Sequence, residues 1–348
     1  SVRDAFAQSV LWGFEVAAQN ANAVLVDATD FLMRDAHGVN ERLQQNNEGN
    51  FSVDKSRSAL YREATMNFLK NTEFEATLTF TGSNPGGHVR SVTPTSDAIT
   101  VRQHHSFVEL PDDGFEPRKF DPRAGYFGIS YQDYSTPISK SLTKRFITKH
   151  RLKKKNPDAE MSEPVEPIVY YLDPGTPEPI RGALLDGARW WNEAFEAAGY
   201  KDAFRVEVLP DSAHPMDVRY NMINWVHRST RGWSYGTSVV DPRTGEIIKG
   251  HVLLGSLRVR QDYLIAEGLL SPYKEGMTYD ENDPMLDMAL ARIRQLSAHE
   301  IGHTIGLAHN FAASTNNRAS VMDYPAPKVR ITKDSTLDLS DAYDTGIG

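Results

Sequence analysis

The residues whose types and spacing could do chemistry are concentrated at positions 299–309, which read His-Glu-Ile-Gly-His-Thr-Ile-Gly-Leu-Ala-His. His299 and His303 stand four positions apart, so on an α-helix both imidazoles project from one face. Zinc binds imidazole nitrogens at about 2.0–2.1 Å in a tetrahedral shell, and a catalytic zinc keeps one position open for water. The pair therefore predicts part of a zinc site, with Glu300 beside its first ligand.

His309 is the candidate for the third ligand, provided that the helix ends before reaching it. On a continuous helix His309 would lie roughly 9 Å further along the axis than His303 and could not reach the same ion. Gly306 stands where the helix has to end, and glycine adopts the left-handed C-cap conformation without steric penalty. Because the chain contains no cysteine, any zinc ligands must be His, Asp or Glu. We therefore expect one Zn2+ ion, held by His299, His303 and His309.

Three histidines, an adjacent glutamate and an open position on the metal predict a hydrolase. Bound zinc lowers the pKa of its water towards about 7. Glu300 is too close along the helix to be a comfortable fourth ligand, and we expect it to accept the water proton as general base and pass it to the leaving amine. The sequence thus favours a zinc-dependent endopeptidase. Two alternatives stay open: a zinc-bearing binding or scaffold protein that captures polysaccharide or protein, and a hydrolase of non-peptide amides or esters.

Composition and charge restrict the class of protein. The chain has 348 residues, of which 40% are hydrophobic and 24% charged, as in an ordinary globular protein with room for two domains. No apolar run approaches the ~18 residues of a membrane span. The net charge of −8 argues against nucleic acid as the main partner. A peptide or protein substrate is the expected partner, and the sequence does not indicate an oligomeric state.

The start of the chain and its lack of cysteine bear on location. The chain begins at Ser1 without a methionine and its N-terminal stretch is not a signal peptide, so we expect a processed or truncated piece. The absence of cysteine fits several compartments, including a bacterial periplasm. We expect an extracytoplasmic location, whether periplasmic, surface-attached or secreted.

The first part of the chain has the pattern of a β-rich domain. Residues 73–80 alternate with period two, which is typical of a half-buried strand. A short helix is expected between Thr29 and Leu43. Residues 140–155 contain eight lysines and arginines, which we interpret as a solvated strand edge running into a linker rather than as an anion-binding patch. Three prolines and four acidic residues follow at 156–167, and we place the domain boundary after residue 155.

The second part alternates between strand and helix patterns. A short buried strand is predicted at 168–172, followed by a helix that Pro177 and Pro179 open and that runs to about Ala198, with Trp191 on its apolar face. Further strands precede a long helix that begins at Pro284 and carries the histidine motif at its C-terminal end. The order β-α-β-β-β-β-α predicts an α/β domain with a mixed, twisted sheet.

A second motif lies at residues 320–325, which read Ser-Val-Met-Asp-Tyr-Pro. An elongated H-E-x-x-H-x-x-G-x-x-H followed by S-x-M-x-Y resembles the metzincin clan of zinc endopeptidases. The resemblance implies that the three histidines bind zinc, that Glu300 is the general base, and that Met322 forms the Met-turn, a structural floor beneath the metal. It also implies that Tyr324 approaches the metal or stabilises the oxyanion; a packed turn aromatic is the alternative.

The N-terminal run at residues 2–16 (V-R-D-A-F-A-Q-S-V-L-W-G-F-E-V) extends the resemblance. Together with both motifs it is similar to a bacterial group of large zinc-dependent metalloproteases, in which a β-rich domain of unknown function precedes a metzincin-type catalytic domain. The resemblance implies an α+β chain with a β-rich domain at 1–155 and a metzincin-like domain at 156–348, which we expect to be truncated at its C-terminus. The first domain would recognise substrate, assist folding or cover the cleft.

The metzincin pattern also implies how the second domain is built. It should contain a mixed five-stranded twisted sheet, a long active-site helix and the Met-turn. The strand from Tyr235 to Val240 would be the antiparallel edge that binds an extended peptide by backbone pairing. His227 and His251 lie near this sheet, and we interpret them as ordinary surface or core residues rather than ligands of a second ion. The five strands are expected to begin at Ile168, Phe204, Asp217, Tyr235 and Ile247.

Overall fold

The computed structural model describes residues 10–228, 233–270 and 283–348. These residues form two compact units, one within residues 7–109 and the other beginning at residue 110. Each unit has a hydrophobic core of its own. None of the described helices is long and apolar enough to cross a membrane.

The first unit is a small antiparallel sheet with short helices. Its long strand β6 pairs with β3, β4, β5 and β7, and the core beside it includes Phe51, Leu78 and Phe80. The strand predicted at 73–80 is confirmed as part of β6, and the unit is β-rich as expected. Its elements are β1 (Val16–Gln19), β2 (Val24–Val26), α1 (Thr29–Leu32), α2 (Val39–Gln45), β3 (Asn50–Val53), β4 (Ala59–Leu60), β5 (Met66–Asn67), β6 (Asn71–Ser83), α3 (Gly87–Val92) and β7 (Ala98–Val108).

The single helix expected between Thr29 and Leu43 is wrong, because two short helices, α1 and α2, occupy this stretch. Gly38 takes a left-handed φ of 63°, which interrupts a right-handed helix. The Asp35 carboxylate accepts a hydrogen bond from the Val39 amide (2.8 Å), so it caps the second helix instead of continuing the first.

The second unit is built on a five-stranded sheet and a long helix. The sheet has the order β11-β10-β12-β14-β13, with β10, β11, β12 and β14 parallel and β13 antiparallel at the edge. This confirms the mixed five-stranded sheet and its antiparallel edge strand. The elements are β8 (Gly128–Gln132), β9 (Thr143–Ile147), β10 (Ile168–Leu172), α4 (Ile180–Arg189), α5 (Trp191–Ala197), β11 (Phe204–Val208), β12 (Asn221–Val226), β13 (Tyr235–Val240), β14 (Ile247–Gly255), α6 (Leu257–Leu270), α7 (Pro284–Thr304), β15 (Arg330–Ile331) and β16 (Leu337–Asp338).

Only one of the five expected strand starts is wrong: β12 begins at Asn221, not at Asp217. The Asp217 carboxylate binds the Arg219 guanidinium, with Nη2 2.6 Å from Oδ2. The Asp217 carbonyl oxygen accepts a hydrogen bond from the Tyr220 amide (3.2 Å). These residues form a turn, and the chain can extend into the sheet only after it.

The long helix α7 packs against α4 and the sheet. A Cβ added to Gly187 of α4 would collide with the carbonyl oxygen of Arg294, so glycine at this position permits the close approach of the two helices. Trp191 is buried and donates its indole N–H to the Ala298 carbonyl oxygen (2.8 Å), which confirms its predicted core position. The helical segment predicted up to Ala198 is divided into α4 and α5.

Residues 110–155 pack within the second unit. The Lys149 amide donates to the Gly245 carbonyl oxygen (3.1 Å), and Arg151 Nε lies 2.7 Å from the Glu246 carboxylate, which is almost fully buried. The interpretation of the basic run as a linker is therefore wrong for Lys149 and Arg151. The compact unit begins at residue 110, whereas the domain boundary after residue 155 remains a prediction.

Chains shortened at these two positions should differ in folding. Residues 110–348 retain the Arg151–Glu246 ion pair, whereas residues 156–348 lack β8 and β9 and leave a buried carboxylate without its partner. Breaking a buried pair costs roughly 3–5 kcal/mol. We therefore expect cooperative thermal unfolding, followed by circular dichroism, for the longer piece and a much lower or absent transition for the shorter one. Equal unfolding curves would show that residues 110–155 are dispensable for this unit.

Candidate metal centre

The helix α7 carries the first two candidate ligands near its C-terminal end. It begins at Pro284, as predicted, because proline suits the first helical position and the Asp283 carboxylate accepts hydrogen bonds from the amides of Met285 (2.9 Å) and Leu286 (3.2 Å). It ends at Thr304. The motif therefore lies on a helix whose two ends are fixed by the local sequence.

Gly306 reverses the chain after the helix, as the sequence predicts. Its φ is 107°, and a Cβ added here would collide with the Thr148 carbonyl oxygen. The Leu307 amide donates to the Gly302 carbonyl oxygen (2.9 Å), which ties the turn to the last part of the helix. The turn returns His309 to the two histidines on the helix.

The three histidines of the motif come together at one point. One ring nitrogen from each of His299, His303 and His309 lies within 4.8 Å of the others, and the Nε2 atoms of His303 and His309 are 3.2 Å apart. His299 Nδ1 donates to the Val321 carbonyl oxygen at 2.7 Å. His303 Nδ1 donates to the Leu307 carbonyl oxygen at 2.8 Å. Because a carbonyl oxygen can only accept, each Nδ1 carries the hydrogen and each Nε2 keeps a lone pair for a metal.

Burial favours the neutral, metal-binding form of these imidazoles. It lowers the pKa of His299 to about 4, and the hydrogen bond to Val321 opposes it only in part. It lowers the pKa values of His303 and His309 as well. Neutral imidazole nitrogens are ordinary zinc ligands, and three of them leave one position of a tetrahedral shell open. The donor set can therefore bind a metal ion and is consistent with zinc.

Glu300 lies buried beside the triad. Burial raises the pKa of its carboxyl group to about 7, and the positive charge of Arg292 acts in the opposite direction. The edge strand β13 lies directly against this part of the helix, since a Cβ added to Gly236 would collide with the Glu300 carbonyl oxygen. The Ser238 hydroxyl also donates to the Thr304 carbonyl oxygen (3.0 Å). The free edge of the sheet is thus held next to the candidate site.

Met322 and Tyr324 both lie at the triad. Met322 is 4% exposed, and a Cβ added to Gly302, between the two helical histidines, would collide with its Sδ atom. Tyr324 is 62% exposed, and its ring centroid lies 5.2 Å from that of His299 and 4.5 Å from that of His309. Both side chains therefore lie close to the triad, and the roles expected of them remain predictions.

A segment around Phe127 completes the surroundings of the triad, and sequence reasoning missed it. The Phe127 amide donates to the Gly306 carbonyl oxygen (2.7 Å), and the Ala308 amide donates to the Gly125 carbonyl oxygen (2.8 Å). The ring centroid of Phe127 lies 5.6 Å from that of His303. Backbone pairing between segments so distant in sequence leaves no periodicity or spacing, so no local signal could have identified Phe127.

His227 and His251 are not brought to the triad. His227 Nδ1 is 2.9 Å from the Ser256 hydroxyl oxygen, and His251 lies on β14. Within the described ranges, the triad is the one group of three or more His, Asp or Glu side chains with metal-binding spacing. Nothing in these ranges indicates a second ion.

Comparison with known families supports the metal centre. Residues 281–348 match the sequence model of a family described as Met-zincin, and residues 1–155 match a domain of unknown function (DUF5117). A search of curated proteins finds no match. The chain thus joins an N-terminal domain of unknown function to a Met-zincin domain, and the histidine triad fits a metzincin zinc site. The match and the triad together indicate a zinc metallopeptidase.

Replacing Gly306 by alanine should disrupt the centre. The added Cβ meets the Thr148 carbonyl oxygen, and alanine is strained at a φ of 107°. We expect a lower thermal midpoint and less than one bound metal per chain, measured by circular dichroism and elemental analysis. Gly182→Ala is the matched control, since this glycine lies in the first turn of α4 and its Cβ would meet nothing closer than 3.5 Å. Full metal content in the Gly306 variant would contradict the assigned turn.

Proposed function

We propose that the chain is a zinc-dependent endopeptidase. The observation that carries the proposal is the convergence of three neutral imidazoles, two of them oriented by backbone carbonyl groups, beside the buried carboxyl group of Glu300. The Met-zincin match to residues 281–348 supports it. Burying this carboxyl group costs hydration free energy, which is consistent with a functional role for Glu300.

The number of ligands favours a catalytic over a purely structural ion. Structural zinc sites are closed by four protein ligands, whereas catalytic sites use three. In the described part of the chain no fourth His, Asp or Glu joins the triad. This observation weighs against the scaffold alternative, in which the metal would only hold the fold together.

The proposed reaction gives Glu300 a proton-transfer role. When bound, zinc supplies a Lewis acid that polarises the peptide carbonyl group and lowers the pKa of a water molecule. The Glu300 carboxylate accepts the proton of the attacking water and then donates it to the nitrogen of the leaving amine. A carboxyl pKa raised by burial to about 7 suits a group that must both accept and release a proton near neutral pH.

The edge strand β13 supplies a binding surface for an extended peptide. It pairs with β14 on one side, and no described strand lies on the other. An extended substrate can add there as a further strand through backbone hydrogen bonds. The contacts of Gly236 and Ser238 with α7 hold this strand next to Glu300, so a peptide paired with it would run past the triad.

Tyr324 and Met322 complete the proposal. The exposed Tyr324 ring lies against His299 and His309, from where its hydroxyl could donate a hydrogen bond to the developing oxyanion. Met322 fills the space under the helix at Gly302 and thereby supports the histidines from below. We assign Tyr324 a role in catalysis and Met322 a structural role.

Glu300→Gln tests the proposal directly. The amide cannot accept the water proton, so we expect cleavage of casein to fall by about 10²–10⁴-fold, while the zinc content per chain stays unchanged. Glu193→Gln, an exposed position on α5, is the matched control and should cleave at the normal rate. Undiminished turnover in the Glu300 variant would exclude Glu300 as general base.

Removal of the metal should abolish cleavage. Without the ion the site has no Lewis acid, and no described side chain can replace it. We expect a chelator such as 1,10-phenanthroline to stop casein hydrolysis and a stoichiometric amount of zinc salt to restore it after dialysis. Cleavage that persists in metal-free protein, verified by elemental analysis, would overturn the proposal.

A further inference from the structure

A small recess opens beside Glu300, next to Arg292 and Leu296 of α7. It has a volume of about 170 Å³ and is lined by Trp233, Arg258, Arg292, Glu300 and Tyr324, among others. This volume lies below the roughly 300–1,000 Å³ of pockets that hold drug-sized ligands. The recess is therefore of a size to take one side chain or terminal group of a substrate bound at the triad.

Arg292 reaches the recess from the same helix as the histidines. Arg292, Leu296 and His299 are spaced at i, i+4 and i+7, so they share one face of α7, and all three line the recess. Arg292 Nη1 donates to the Gln295 side-chain oxygen (3.0 Å). Among the described residues, no carboxylate forms an ion pair with Arg292. Burial and the neighbouring Arg258 lower the pKa of Arg292, and the charges of Asp262 and Glu300 act in the opposite direction.

Arg258 adds a second guanidinium from α6. Its Nε lies 2.8 Å from Oδ2 of Asp262, a fully buried carboxylate, so Asp262 forms an ion pair with Arg258. The remaining carboxylate close to Arg292 is Glu300, which the proposed reaction uses for proton transfer. Gln261 of α6 and Tyr343 contribute polar but uncharged groups to the surroundings. Two guanidinium groups and the Glu300 carboxyl group thus line the recess, and the one carboxylate among the described residues that forms an ion pair there, Asp262, is buried behind it and pairs with Arg258 alone.

We propose that this recess binds a carboxylate group of the peptide substrate, and so directs cleavage to a bond next to an acidic residue. The inference rests on the proposed peptidase function. Guanidinium groups bind carboxylates through two parallel charge-assisted hydrogen bonds, which gives direction as well as affinity. The carboxylate can come from an aspartate or glutamate side chain or from a free C-terminus, and both present the same chemistry.

Arg292 has a second possible use, because its charge acts on Glu300. If that were its only use, removing it would slow the cleavage of every peptide by the same factor. A binding role instead changes the ratio between acidic and neutral substrates. The ratio is therefore the quantity to measure.

The experiment uses the full, zinc-loaded chain and paired peptides that differ by one Glu or Gln, placed in turn at each position around the cleaved bond. Each peptide is made with a free and with an amidated C-terminus, and products are identified by mass spectrometry. We expect the Glu peptide to have a kcat/KM about 10- to 100-fold higher than its Gln partner at one position. If the preference for Glu remains in the amidated peptides, the recess binds an acidic side chain of the substrate. If the preference requires the free carboxylate, the recess binds the C-terminus of the substrate.

Variants of Arg292 test whether the preference for Glu peptides arises in the recess. Arg292→Gln should reduce the Glu/Gln ratio to near one, and Arg292→Lys, which keeps the charge and is the gentler change for folding, should retain part of it. Arg294→Gln is the matched control: this arginine lies on the same helix but pairs with Asp186 and is outside the recess, so the ratio should not change. Two results would overturn the inference. One is equal kcat/KM values of the native chain for the Glu and Gln peptides, and the other is a Glu/Gln ratio that stays unchanged in Arg292→Gln.

Measurements of peptide affinity test this inference independently of the proposed peptidase function. The affinity of the same peptides is measured by fluorescence anisotropy on Glu300→Gln, with and without Arg292→Gln. Tighter binding of the Glu peptide than of the Gln peptide, lost in the double variant, supports carboxylate binding in the recess. If no peptide is cleaved at the same time, only the proposed peptidase function is wrong. Equal binding of the Glu and Gln peptides overturns the recess even if casein is cleaved.

Discussion

The position of His309 depends on one tight backbone contact, the turn at Gly306 packed against Thr148. Two histidines on a helix cannot hold a metal alone, and the third can approach only if the chain reverses within a few residues. The reversal is stabilised from outside the motif, because residues 125–127 pair with the turn through backbone hydrogen bonds. The His299 ring is oriented by the Val321 carbonyl group, which also lies outside the motif, and the His303 ring by the Leu307 carbonyl group within it. The centre is thus assembled from four separate segments.

A single helix places most of the charged and titratable groups of the site. Arg292, His299, Glu300 and His303 follow one another along α7, and the same burial that keeps the imidazoles neutral raises the pKa of the Glu300 carboxyl group. Arg292 pulls that pKa down. Any change in solvent access along this helix would therefore change the pKa values of His299, Glu300 and Arg292 together, since burial shifts all three.

The sequence was sufficient where spacing alone determines geometry. The four-residue interval between His299 and His303, the glycine at 306 and the proline at 284 predicted the ligand pair, the turn and the helix start, and the alternation near residue 73 predicted a strand. It was insufficient where distant segments meet. The pairing of Phe127 with the turn and the meeting of Arg258 with Arg292 arise from tertiary packing, and neither leaves a periodic signal. The prediction of a single helix between Thr29 and Leu43 was also wrong. Gly38 interrupts the helix and Asp35 caps the second one, although the apolar pattern continues through both.

The pairing of residues 125–127 with residues 306–308 has a consequence for when the metal centre can form. The two segments are separated by about 180 residues, so bringing them together costs loop-closure entropy. During synthesis the first segment leaves the ribosome long before the second, and the turn can settle only after both are present. A nascent chain therefore has no assembled centre until residues 306–309 have also left the ribosome.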